Sequence, residues 1–311
     1  LSWKFLPVLL VGCFRFITAF AVSTITQLYI RELGGTALLV SINATLFWLG
    51  VLIFSPLWGG LSDALGRRKI FLVIALSLSS LVLPLFALSG SVSEVLAVRF
   101  GLSVLGAGVS PIALAIVSSY SLDQRGRSIS FYHTAESIGM MAGMLLAGAL
   151  LSSLDFKSSY LVLAALSASS AIAALFILEK TKNPKPPNGL KVIPRFDRAF
   201  LEKGLIYLYI GISLRMLGLV GVFSLIFVYM VEELGIAPSL MGMVASLNPA
   251  SQILLLIFFG RLVDRVGRKR IFVLGFLLSA FVPLIFSFAN GPGLMLLGYV
   301  VLGISYSALA S

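Results

Sequence analysis

The sequence predicts an all-α polytopic membrane protein, and three observations carry that class: extreme hydropathy, apolar segments of membrane-crossing length, and basic charge confined to alternate loops. Of the 311 residues, 59% are hydrophobic and 11% charged, with a mean hydropathy of +1.06. Soluble domains carry about 25% charged residues. A helix needs about 20 apolar residues to cross about 30 Å of hydrocarbon at about 1.5 Å per residue. Ten segments meet that length, at 5–30, 37–60, 69–89, 94–118, 128–151, 158–178, 204–231, 239–260, 271–289 and 293–311. The first is too long for a signal-peptide core and lacks a small-residue cleavage pattern, so it reads as a retained helix.

The formal net charge of +11 would point to nucleic acid in a soluble chain. Its distribution points elsewhere. With a cytoplasmic N-terminus, 18 of the 23 Lys and Arg residues fall on the cytoplasmic side, in the clusters around 67–69, 125–127, 180–203 and 261–270 and at Lys4. The outer side holds Arg31 and Lys157, while Arg15, Arg99 and Arg215 lie within helices. That asymmetry sets topology and excludes a nucleic-acid partner; the surroundings it implies are a lipid bilayer. One cysteine, Cys13, and one histidine leave no internal disulfide and no metal cluster. Enzyme chemistry would need a nucleophile–base pair, a metal constellation or a phosphate loop, and none is present, so no enzyme activity and no cofactor is expected.

The chain is internally duplicated. Residues 59–70, GGLSDALGRRKI, match 260–271, GRLVDRVGRKRI, at an offset of 201. Gly59, Asp63, Gly66 and Arg67 fall on Gly260, Asp264, Gly267 and Arg268. Upstream, Arg15 matches Arg215 and Tyr29 matches Tyr229 at 200, whereas Leu33 matches Leu234 at 201, a slip of one residue. The Pro- and Gly-containing run within 179–203 reads as a solvated linker between an N-terminal bundle, 1–178, and a C-terminal one, 204–311. A full second copy would need about 70 further residues, two more helices, so the chain reads as a fragment of a twelve-helix protein.

The repeated pattern G-x-L-x-D-x-x-G-R-[RK], between helices two and three and again between eight and nine, resembles the signature loop of the major facilitator superfamily. Its glycines allow a tight turn, and its Asp can form a pair in one conformation and break it in another. The resemblance implies two pseudo-symmetric six-helix bundles, the last two helices absent here, that move a small-molecule substrate by alternating access. It implies a cytoplasmic latch made by Asp63, Arg67 and Arg68 with Asp123, Arg125 and Arg127 of the loop after helix four, and it implies a monomer. In helix five, GMMAGMLLAG resembles the family's antiporter motif at Gly139, Gly143 and Gly148, with Met144 where Pro is expected. Small residues at this spacing also serve plain helix packing. Helix four carries Arg99 in a departure from the family's R-x-x-x-G-x-G pattern, with Ser103 at the expected Gly; at this depth Arg99 is also placed to snorkel to headgroups.

Charges inside a membrane are costly and therefore informative. Arg15 and Arg215 fit either a midplane anion site, since the family's first helix in each half lines the cavity, or structural pairing with a buried carboxylate. Glu136 is the one carboxylate deep in these helices, and His133 shares its face at i−3. The pair suits a coupling proton, or Glu136 makes a fixed contact with Arg15 or with Asn248, Ser251 and Gln252 of helix eight. Phe14, Phe16, Phe20, Tyr132, Phe223 and Tyr229 either line the cavity or pack. The expected function is proton-coupled export of an amphipathic or weakly acidic compound across the cell membrane, as in drug-efflux relatives. Two alternatives stand beside it: an organic-anion exchanger or uptake carrier using Arg15 and Arg215, and a transport-dead sensor or scaffold on the same fold.

Overall fold

A computed structural model describes residues 3–120, 125–178 and 203–310. Among them no strand occurs, and ten helices are long and apolar enough to cross a membrane. They are α1 (Leu6–Glu32), α2 (Ala37–Leu65), α3 (Arg68–Leu88), α4 (Val92–Tyr120), α5 (Arg125–Ser153), α6 (Phe156–Leu175), α7 (Leu205–Glu233), α8 (Pro238–Val266), α9 (Arg268–Ser287) and α10 (Pro292–Ala310). Several starts are fixed locally. Pro7 and Pro238 sit in the first turns of α1 and α8, where a missing N–H costs nothing. Ser91 accepts from the Glu94 N–H while Glu94 accepts from the Gly90 N–H, a reciprocal cap on α4. Asp155 caps α6 by accepting from Ser158, and that interaction holds its carboxyl below the ordinary carboxylate range. On the helix flanks Leu52 and Leu217 are 72% and 77% exposed, a surface stable only where lipid covers it.

The chain divides into two compact units, Leu1–Gly139 with Leu154–Arg195, and Met140–Ser153 with Phe196–Ser311. Helix α5 is thus shared, its second half counting with the second unit. The first unit is centred on Val8, Val11, Leu72, Leu76, Ile112 and Tyr132. In the second, Phe259, Val263, Ile271 and Ala308 form a cluster. The expected linker 179–203 lies outside the described residues apart from Lys203, whose backbone begins the seventh helix.

The two units repeat each other in detail. Tyr29 donates its hydroxyl to the Ser89 carbonyl at 2.6 Å, and Tyr229 donates to the Ala289 carbonyl at 2.8 Å, each across 60 residues. Tyr29 and Tyr229 are therefore packing residues, as is Phe223, which meets Phe286 and Tyr299 edge-on or tilted. The one-residue slip has a structural cause. The Leu33 N–H bonds to the Tyr29 carbonyl four residues back, whereas the Leu234 N–H bonds to the Tyr229 carbonyl five back. Residues Tyr229–Glu233 form a π turn that absorbs the extra residue, and both connections then reach a left-handed glycine, Gly34 or Gly235.

The repeated motif is more helical than a loop. Helix α2 runs through Gly59 and Asp63 to Leu65, and α8 runs to Val266. Only Gly66 and Arg67, and in the second copy Gly267, stand between helices. Gly66 and Gly267 have φ of 63° and 94°, which a side chain would strain. The extension follows from the sequence between them, since a polar face costs a helix nothing once it leaves hydrocarbon.

Of the three glycines of the α5 motif, Gly148 has a defined close contact within the second unit. A Cβ there would lie 2.6 Å from the Pro238 carbonyl oxygen and 3.1 Å from the Gly242 Cα, and one at Gly242 would lie 2.6 Å from the Met144 carbonyl oxygen. Gly139 plays the same role in the first unit against the Cys13 backbone, and Gly143 is buried. Gly148→Leu and Gly242→Leu should each destabilise by about 1–3 kcal/mol through overpacking. Gly218→Ala, in open space, should leave stability unchanged or raise it. Thermal unfolding of the detergent-solubilised protein checks the three.

Candidate functional site

The polar interior of the first unit is built on α1, α3, α4 and α6. Arg15 of α1 and Arg99 of α4 line one cavity with Thr18, Phe47, Ser79 and Ser167, and water centres fit in about 20 Å³ of it. Arg99 is only 4% exposed, so it is enclosed within the bundle and does not reach out to headgroups. Its guanidinium lies over the Phe47 ring, 4.4 Å from the centroid. Arg15 is less enclosed, but its guanidinium packs on Gly106, where a Cβ would lie 2.8 Å from Nη2. The Nε of each arginine is buried with no hydrogen-bond partner. A charge at helix centre costs about 2.5–3.5 kcal/mol to insert, and a cation–π contact returns about 0.5–2 kcal/mol. Phe47 alone leaves Arg99 under-compensated.

Glu136 and His133 of α5 do meet. The carboxylate Oε2 is 2.7 Å from His133 Nδ1, and the side chains are 9% and 46% exposed. A carboxyl enclosed in the bundle is thus joined to an imidazole that reaches its surface. Tyr132, fully buried and set against Gly12, packs beside the carboxylate. Glu136 and Arg15 interact through space, but among the described residues no ion pair joins them. The helix-eight groups pair with each other, Gln252 Nε2 donating to Asn248 Oδ1 at 2.8 Å.

In the second unit Arg215 Nε donates to Ser279 Oγ at 2.7 Å, across 64 residues. Arg15 and Ser79, the same distance apart in sequence, line the first unit's cavity together. Ser279 in turn bonds Ser305 and the Gly275 carbonyl. Arg215 Nε thereby has a hydroxyl acceptor within its own unit, and among the described residues no carboxylate pairs with it.

Of the latch residues, Asp63 accepts from Arg68 Nε at 2.8 Å and lies 2.7 Å from its Nη2, while Arg68 Nη1 donates to the Ala115 carbonyl of α4 at 3.4 Å. This ties the end of α2 and the start of α3 to α4. Arg67 and Arg268 are exposed, and Gly59 faces open space. Asp123 lies outside the described residues, as do the side chains of Arg125, Arg127 and Asp264 and the surroundings of Gly260. At Ser103, where the R-x-x-x-G-x-G pattern has glycine, Gly50 of the facing helix makes room for the hydroxyl. Ser79 was legible only as the partner of the Arg–Ser spacing that recurs at 215 and 279.

Comparison with known proteins agrees with this architecture. The chain is 24% identical to the multidrug resistance protein MdtG of Salmonella arizonae over 99% of its own length and 79% of the relative's. It is 23% identical to the protein of the same name from Escherichia coli O17:K52:H18, over 94% and 74%. Among solved structures it matches the nucleoside transporter NupG (its D323A mutant) with a TM-score of 0.79 at 14% identity, over 98% of this chain and 80% of that one. It also matches an inward-facing, unoccupied bacterial homologue of the human lysosomal transporter Spinster, with a TM-score of 0.74 at 17% identity, over 99% and 73%. The profile described as Major Facilitator Superfamily matches residues 8–231 and 208–311. The ten apolar helices, the duplicated glycine turn and that match together make this chain a multi-pass membrane transporter, not an enzyme, and it belongs to the Major Facilitator Superfamily.

Proposed function

We propose that the protein exports an amphipathic or weakly acidic compound in exchange for protons across a bacterial inner membrane. The observation that carries this reading is the enclosed Glu136 joined to the partly exposed His133. A carboxyl that leaves water only in company with an imidazole is suited to pick up and release a proton as access changes. The relatives named multidrug resistance proteins support efflux as the direction. In this reading the N-terminus and the 179–203 linker are cytoplasmic, two bundles (1–178 and 204–311) rock about the site, and the working unit is a monomer. The Asp63–Arg68 pair acts as the cytoplasmic latch, holding α2, α3 and α4 together in one of the two states. The α5 glycines let the helices pack closely while they move.

An organic-anion carrier is the second reading, favoured by the unpartnered Nε of Arg15. Arg15 and Arg215 would share that task in the two bundles.

Proteoliposome proton flux separates these readings. Wild type should show proton movement driven by a lipophilic cation or a weak acid, and Glu136→Gln should reduce it to the level of protein-free vesicles. Intact coupling in the variant makes Glu136 a structural contact. Combined Arg15→Gln and Arg215→Gln should spare a lipophilic cation on the export reading and abolish carboxylated or phosphorylated solutes on the anion reading. No flux with any solute from folded protein would favour the sensor or scaffold. Asp63→Asn should slow transport about tenfold while leaving substrate binding within about twofold, because removal of one partner from a half-exposed pair costs on the order of 1 kcal/mol.

A further inference from the structure

The cavity of the first unit has a charge imbalance that the transport reading does not use. Arg15 and Arg99 line it together and are close enough to repel each other. No carboxylate lines it. The acidic group that acts on Arg15 is Glu136, which already bonds His133, and no acidic group is found acting on Arg99. Among the described residues, and with the imidazole counted as neutral, two guanidiniums against one carboxylate leave one positive charge uncompensated inside a bundle that lipid surrounds, where electrostatic forces are weakly screened.

We infer that the Arg15–Arg99 cavity is a binding site for one small monovalent anion, of the size of chloride or of a single carboxylate group. Four features specify the ligand. Both Nε–H groups are buried donors with no acceptor, and an anion supplies acceptors to both at once. Of the cavity's hydroxyls, Thr18 and Ser79 spend their protons on the Phe14 and Ala75 carbonyls and offer an anion no donor, while among the described residues the Ser167 hydroxyl has no such acceptor and can donate inward. The free space, about 20 Å³ for water centres, is above the roughly 10–15 Å³ that one water needs and too small for an organic solute. A single charge restores neutrality, whereas a dianion would overshoot it. The site lies wholly within the N-terminal unit and stands apart from the proton-coupled export reading, which does not use it.

The test uses the purified protein in detergent, with sodium chloride, bromide or formate compared with sodium gluconate at equal ionic strength. Chloride, bromide or formate should raise the thermal midpoint saturably, and gluconate, too large for the cavity, should not. Arg99→Gln should weaken the apparent affinity about 10–100-fold, the loss of one charge-assisted hydrogen bond, and Arg99→Lys should restore part of it. Should Arg99→Gln fail to fold, Ser167→Ala, which removes only a donor, should still weaken affinity by roughly tenfold. In crystals soaked in bromide, an anomalous peak should lie between the two guanidiniums. A response to chloride and bromide alone assigns a free inorganic ion, and a response to formate alone assigns a seat for a solute's carboxylate; both support the site. Equal stabilisation by gluconate, an unchanged response in Arg99→Gln or Ser167→Ala, or a bromide peak elsewhere overturns it.

Discussion

A guanidinium inside a lipid-surrounded helix must find acceptors within the protein, because water is not there to supply them. The interior of each unit is organised by that requirement. In the second unit the Nε–H of Arg215 meets it through Ser279, which is held by Ser305 and the Gly275 carbonyl. In the first, Gly106 opens the space in which Arg15 lies, and Phe47 presents its face to Arg99. The small residues around these charges are therefore part of the electrostatics. A Cβ at position 106 would fall on the guanidinium itself.

The duplication explains why one solution appears twice with local differences. The Tyr29–Ser89 and Tyr229–Ala289 contacts are the same tie in the two units. Both copies also end the first helix in a left-handed glycine, and both turn between their second and third helices on another. One extra residue in the second copy did not move these anchors. It was taken up as a π turn between Tyr229 and Glu233, upstream of the glycine and downstream of the tyrosine. A helix can widen by one residue at the cost of poorer hydrogen bonds over a single turn, whereas displacing the tyrosine would forfeit a buried contact.

Helix number, the two-fold repeat and the glycine turns were legible in the sequence because each rests on a local rule. Length and hydropathy decide membrane helices, and only glycine is at ease in the backbone of Gly66 and Gly267. The His133–Glu136 pair was legible for the same reason, as an i, i+3 neighbour relation on one helix. What was not legible depends on contacts between helices distant in the chain. Asp63 selects Arg68 rather than Arg67 because α3 begins at Arg68 and turns its side chain back toward α2. Arg99 looked like a snorkelling residue from its depth alone, and burial by α2 removed that option. The close approach of Gly50 to Ser103 spans two helices, and a motif read along one helix cannot register it.

The two units thus carry equivalent arginines into different surroundings. At the repeated position, Arg215 has a hydroxyl acceptor and Arg15 has a second arginine for a neighbour. Helix α4 is the source of the difference, since Val300 of α10 stands where Arg99 would fall on the repeat. Symmetry of fold therefore does not extend to symmetry of charge. The first unit holds two interior cations, and the carboxylate that acts on Arg15 sits on α5 already bonded to a histidine. Any event that changes the charge on α5 is then felt at Arg15, one helix away, by Coulomb interaction in a medium that screens it weakly. Coupling of that kind requires no moving part between the two groups, only that α1 and α5 remain packed through Gly12 and Gly139.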